Sequence, residues 1–164
     1  MNRPTCSLVV MGVSGAGKTE VGRALAVSFG AHFIDADDYH PQTNIEKMSR
    51  GEALDDDARA PWLERLSRAL REPPTPVVLA CSALRQKYRD QLGIDGRTIR
   101  LVYLRVPKAE LEGRLESRLS HFAGRALLES QLETLEEPTT GLALDGTRAV
   151  SELVNDTLAW LRGF

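Results

Sequence analysis

The chain has 164 residues, 42% hydrophobic and 27% charged, the proportions of a folded globular protein rather than a disordered one. With 21 Lys and Arg against 23 Asp and Glu, the net charge of −2 speaks against a nucleic-acid or anionic-membrane binder, which carries a basic excess. The length predicts one domain over 1–164, and no apolar run approaches the roughly 18 residues of a membrane span.

Leu8–Met11 is too short for the apolar region of a secretory leader and reads as a buried strand. It ends in Gly12-Val13-Ser14-Gly15-Ala16-Gly17-Lys18-Thr19, which fits the phosphate-binding pattern GxxxxGK[ST]. The glycines permit a tight loop whose N–H groups point at phosphate oxygens, and the helix that follows adds its positive end. Lys18 is placed to reach the β- and γ-phosphates, and the Thr19 hydroxyl to ligate Mg²⁺. No Asn-Lys-x-Asp guanine reader is present, so ATP is the expected nucleotide. Lys18 to Phe29 carries Val21, Ala24, Leu25 and Ala26 at helical spacing.

His32-Phe33-Ile34 reads as a second strand running into Asp35-Ala36-Asp37-Asp38. On extended chain Asp35 and Asp37 project to one side. Beside a triphosphate, one carboxylate suits Mg²⁺ and the other suits the proton of an attacking hydroxyl. The competing reading is a solvated acidic turn in which Asp38 caps a helix. Helices are predicted over Asn44–Arg50 and Asp57–Arg71, with Pro61 in or near the first turn of the latter. Asp55-Asp56-Asp57 suits that helix's dipole.

Val77–Cys81 is a continuous apolar run typical of a strand buried on both faces. Then follow a helix over Leu84–Leu92, a strand over Ile99–Leu104, helices over Lys108–Leu119 and Ala126–Leu135, a weak strand over Leu142–Leu144 and a helix over Val150–Leu161. Alternating strands and helices predict an α/β fold, a parallel sheet with helices on both faces, whose ligand lies beyond the carboxyl ends of the strands. The two cysteines, Cys6 and Cys81, fit no CxxC or zinc spacing and read as core thiols of a reduced, cytoplasmic protein. The three histidines show no i, i+4 ligand pair.

Several segments are more specific than the phosphate loop. They are Asp35-Ala36-Asp37-Asp38-Tyr39-His40-Pro41, Asn44-Ile45-Glu46-Lys47-Met48, Gly51-Glu52 and Arg59-Ala60-Pro61-Trp62-Leu63. Cys81-Ser82-Ala83-Leu84-Arg85 with Tyr88-Arg89-Asp90, Arg118 with His121-Phe122, and Gln131-Leu132-Glu133-Thr134-Leu135-Glu136-Glu137-Pro138 complete the set. From Leu8 to Pro138 the chain resembles the bacterial-type gluconokinases, relatives of shikimate and nucleoside monophosphate kinases. The resemblance implies a three-layer P-loop kinase core with a small mobile helical lid, here about 114–130, in proteins that are often homodimers. It implies phosphorylation of D-gluconate at its 6-hydroxyl by ATP, giving 6-phosphogluconate and ADP.

Carried over by position, Asp37 would hold the acceptor hydroxyl and act as base, and Asp35 would support Mg²⁺ with Thr19. His40, Lys47, Arg59 and Arg85 would grip the carboxylate and hydroxyls of gluconate, an anionic polyol that needs cations at one end. Arg118, i+4 from Arg114, would be the lid arginine that closes over the phosphates, with Leu119–Arg125 as the lid loop. The adenine-side loop would be Asp145-Gly146-Thr147. The chain departs from the family pattern at Leu119-Ser120, where Lys-Gly is usual, at Ala36 in place of glycine and at Ala58 in place of an acidic residue. After Pro138 the usual acidic insert is shortened to Thr139-Thr140-Gly141. Two alternatives remain, a shikimate-type kinase and an ATP-binding sensor without transfer. Cys81-Ser82-Ala83 opposes the first, since shikimate kinases would show Gly-Gly-Gly there, and retention of Lys18, Thr19, Asp35 and Asp37 opposes the second.

Overall fold

The computed structural model of the chain describes residues 5–117 and 121–163. The strands are β1 (Ser7–Met11), β2 (His32–Asp35), β3 (Val77–Ala80), β4 (Ile99–Arg105) and β5 (Leu142–Asp145). The helices are α1 (Lys18–Phe29), α2 (Gln42–Ser49), α3 (Asp56–Arg71), α4 (Gln86–Leu92), α5 (Lys108–Glu116), α6 (His121–Thr134) and α7 (Val150–Arg162), with a 3₁₀ turn over Ala36–Tyr39. The strands form one sheet in the order β2-β3-β1-β4-β5, every neighbouring pair parallel.

β1 and β3 are buried at every position because both faces of the sheet are covered. On one face Leu8, Val10, Val78, Val102 and Leu104 meet α1, α5, α6 and α7 through Leu25, Leu111, Leu128 and Leu153. On the other, Val9, Met11, Leu79 and Leu101 meet α3 and α4 through Trp62, Leu63, Leu66, Tyr88 and Leu92. The expected three-layer α/β core is what the chain forms. Register then sets the level of the functional segments. Asp35 pairs with Ala80 and Ala80 with Val10, so Asp35 ends its strand level with the start of the phosphate loop, two strands away, or about 10 Å.

Most boundaries shift by one to three residues from the sequence expectation, and the starts of α3, α4 and α6 are the informative ones. α3 begins at Asp56, one residue earlier than expected, capped by the Asp55 carboxylate on Ala58 N–H at 2.8 Å, and Pro61 lies early in its second turn, near the first as expected. Burial of Trp62, Leu63, Leu66 and Leu70 carries the helix through the proline. α4 begins at Gln86 instead of Leu84, because Ala83 adopts a left-handed φ of 46° and Arg85 is extended. α6 begins at His121 instead of Ala126, so residues 121–125, expected in the lid loop, are helical. Its Gly124 falls in the first turn, where a Cβ would lie 3.5 Å from Leu115.

Candidate active site

A cavity of about 1040 Å³ opens at the carboxyl ends of the strands. Ser14 to Thr19 form one wall, and Asp35, Asp37, His40, Arg59, Trp62 and Ser82 another. The volume exceeds the ordinary small-ligand range and suits two reactants side by side. From β1 the chain crosses to β2 on one side of the sheet, and from β3 it crosses to β4 on the other side of β1, so the phosphate loop after β1 sits at the switch point.

The loop's curvature depends on Gly15 and Gly17, both left-handed at φ 86° and 93°, which turn successive backbone amides inward before α1. Gly12 and Val13 lead into the turn from β1. Lys18 donates to Val13 O at 3.0 Å, which folds its side chain back across the loop. Ser14 N–H donates to Gln131 Oε1 of α6 at 2.6 Å. Arg114 of α5 donates to Gly15 O at 2.9 Å and to Gly146 O at 2.8 Å, tying the loop to the segment after β5. Gly146 and Arg148 line the cavity on that side.

At the end of β2, Asp35 Oδ1 accepts from Asp37 N–H at 3.0 Å and so caps the 3₁₀ turn. The cap belongs to Asp35, not Asp38. Asp37 is exposed as a residue, yet partial burial of its carboxyl, then the charge of Asp35, raise its pKa above the ordinary carboxylate value, against His40 and Lys18. His40 stacks on Trp62, with ring centroids 4.2 Å apart and planes 15° off parallel. Trp62 is held by Nε1–H donating to Ala36 O at 2.7 Å. Arg59 donates to Tyr88 Oη at 2.8 Å, and that hydroxyl donates to Asp56 Oδ1 at 2.9 Å, where Lys87 also pairs. Thr19 and Asp35 supply hard oxygen donors on facing walls, the chemistry Mg²⁺ prefers when phosphates complete its shell.

Of the residues singled out in the sequence, Ser14 through Thr19, Asp35, Asp37, His40 and Arg59 share the cavity wall. Lys47 and Arg85 are half-buried and stand outside that wall. Arg118, with Leu119 and Ser120, lies outside the described residues. Trp62, Tyr88, Arg114 and Gln131 line the cavity, and of these only Arg114 carries a side-chain role in the sequence reading. The other three stand in the segments that carried the resemblance. Cys81 also faces this region, but burial pushes its thiol up to about 12, so it is inert packing rather than a nucleophile.

A family model described as an AAA domain matches residues 8–138. The gluconokinase of Gluconobacter oxydans is 48% identical over 134 residues, 80% of this chain and 75% of that protein. A crystal structure of a gluconokinase from Sinorhizobium meliloti superposes with a TM-score of 0.86 at 42% identity, covering 98% of this chain and 94% of that one. A shikimate kinase from Bacteroides thetaiotaomicron has a TM-score of 0.68 at 18% identity, over 96% of this chain and 98% of that one, a likeness of fold alone.

Proposed function

The chain belongs to the gluconokinase family, and on that premise we propose how its residues divide the transfer of a phosphoryl group from ATP to the 6-hydroxyl of D-gluconate. The observation that carries the reading is the single cavity. It sets a phosphate-binding loop opposite a carboxylate of raised proton affinity and a cationic side chain.

The loop amides of Ser14 to Thr19 and the Lys18 ammonium cradle the phosphates. Thr19 and Asp35 would hold Mg²⁺, which when bound would neutralise phosphate charge. Asp37 accepts the proton of the 6-hydroxyl as that oxygen bonds to the γ-phosphorus and the bond to the β-phosphate oxygen breaks. A carboxylate with raised pKa is the better base, provided it is still ionised at working pH. Arg59 and His40 stand beside Asp37 to bind the acceptor's carboxylate and hydroxyls, and Lys47 and Arg85 complete that set when the acceptor is bound. Arg118, which lies outside the described residues, would by the resemblance stabilise charge on the transferring group.

Two buried free thiols, Cys6 and Cys81, support a cytoplasmic setting for this chemistry. Among the described residues no helix is long and apolar enough to cross a membrane.

Release of ADP from Mg·ATP, measured across gluconate, shikimate, glycerate, nucleoside monophosphates and no acceptor, tests the reading. Turnover confined to gluconate is expected, and a flat panel with ATP still bound would refute it. Asp37→Asn lowers kcat by about 10²–10⁴ with ATP affinity retained. Loss of ATP affinity in that variant would remove Asp37 from the role of base.

A further inference from the structure

Asn44 is 2% exposed on α2, a helix in which it is the only buried residue. Its amide nitrogen donates to Ala58 O at 2.9 Å and stands 3.3 Å from His40 Nδ1. The Ala58 carbonyl decides which end of the amide is nitrogen, since the amide oxygen placed there would face another oxygen. The –NH₂ group has two hydrogens and two acceptors to receive them, so His40 Nδ1 holds a lone pair. A proton on Nδ1 would set donor against donor. The ring's own proton is therefore on Nε2, the remaining polar atom of a side chain that lines the cavity.

We propose that Asn44 is a positioning residue that holds His40 as a neutral Nε2–H donor to an oxygen of the acceptor. The inference rests on the reading of His40 as an acceptor-site residue. Four groups face the ring, Asp37 from the 3₁₀ turn, Asn44 from α2, and Arg59 and Trp62 from α3. Burial, the largest influence, works against the charged ring; Asp37 opposes it and Arg59 reinforces it, and the pKa lies below its ordinary value. Neutrality matters to the chemistry next door. An imidazolium would pair with Asp37 and lower the proton affinity of the base, whereas a neutral donor binds the acceptor and leaves the base its basicity.

The test is nitrogen NMR of the full chain labelled at its three histidines, with His40 assigned by the loss of its signals in His40→Gln. In the wild type the expected spectrum at pH 7 has the proton on Nε2 and a titration midpoint below the ordinary histidine range. A proton on Nδ1, or an imidazolium at pH 7, overturns the proposal with no Asn44 variant required. In Asn44→Asp a carboxylate accepts from Nδ1–H. The midpoint then rises by about one pH unit or more, and kcat/KM for gluconate at pH 7 falls about tenfold. A folded Asn44→Asp chain, matched to wild type in circular dichroism and ATP affinity, whose His40 titrates as in the wild type also overturns it. A shifted midpoint with unchanged kcat/KM would leave Asn44's hold on the ring standing and refute instead the placement of His40 against the acceptor.

Discussion

At the scale of single residues, the pair Asp35 and Asp37 sets the pH response. Partial burial of its carboxyl, then the negative charge of Asp35, raise the proton affinity of Asp37. In its proposed role as base Asp37 must be ionised to work, so kcat/KM is expected to fall on the acid side at a pH above the ordinary carboxylate range of about 4. Neutralising the neighbour reverses that repulsion. In Asp35→Asn the acid limb moves to lower pH, whatever happens to the maximal rate, and a limb that stays in place would show that Asp35 does not act on Asp37. The same shift has a stability consequence. Because the folded-state pKa of Asp37 exceeds the unfolded value, its contribution is present below the unfolded pKa and is lost as pH rises through the folded one. Asp37→Asn removes that penalty at pH 7, and its Tm is expected about 1–2 °C above wild type, a small gain because the side chain is exposed to solvent screening. The phosphate loop and the paired carboxylates that share the cavity are legible in the sequence, since both have fixed local spacing. Asn44 is not. His40 Nδ1 lies four residues before it, but its other partner, Ala58 O, is in the first turn of α3, and only the tertiary fold brings both to one amide.

At the scale of elements, strands and helices were legible wherever the hydrophobic period was uninterrupted, as in α1, whose limits Lys18 and Phe29 coincide with the sequence expectation. The departures fall where one residue obeys a tertiary contact instead of its own preference. The left-handed Ala83 is the clearest case. Arg89, 2% exposed, donates to Ala83 O at 2.7 Å and to Glu136 O at 2.9 Å. Glu136 in turn accepts from Gln86 N–H through its carboxylate at 3.0 Å and donates its own N–H to Leu84 O at 2.8 Å. One buried guanidinium thus joins the turn that carries Ser82 and Arg85 to the chain leaving α6, the helix whose Gln131 touches the phosphate loop. Arg89→Met keeps the length of the side chain but strands two carbonyls, and is expected to cost about 2–4 kcal/mol in urea unfolding. Arg68→Met, which breaks an i, i+4 pair with Glu64 whose partners are each 65% exposed, should cost no more than about 0.5 kcal/mol. Equal costs for the two would refute the clamp.

At the scale of the whole molecule, the sheet order puts the phosphate loop and the proposed acceptor residues in one cavity but on different elements. The nucleotide half is built from β1, α1 and α6, with Arg114 of α5 and the loop after β5. The acceptor half is built from the end of β2, α3 and the turn after β3. Nothing in the sequence states that division, because it follows from β3 lying between β1 and β2, a long-range pairing with no local signature. It has a thermodynamic consequence. A ligand that binds only the folded chain at a hundred times its Kd stabilises by about 2.7 kcal/mol, which for a domain of this size raises Tm by roughly 5–10 °C. Mg·ATP and gluconate should therefore each raise Tm in the wild type. In Lys18→Ala the nucleotide shift should largely disappear while the gluconate shift persists, since Lys18 folds across the phosphate loop and the acceptor's ligands come from α3 and the 3₁₀ turn. Loss of both shifts in a variant that still folds would mean that the halves are energetically one site. Persistence of the gluconate shift alone would instead show that the acceptor half forms before any nucleotide arrives, leaving Lys18 and the lid to supply the charge stabilisation that converts binding into transfer.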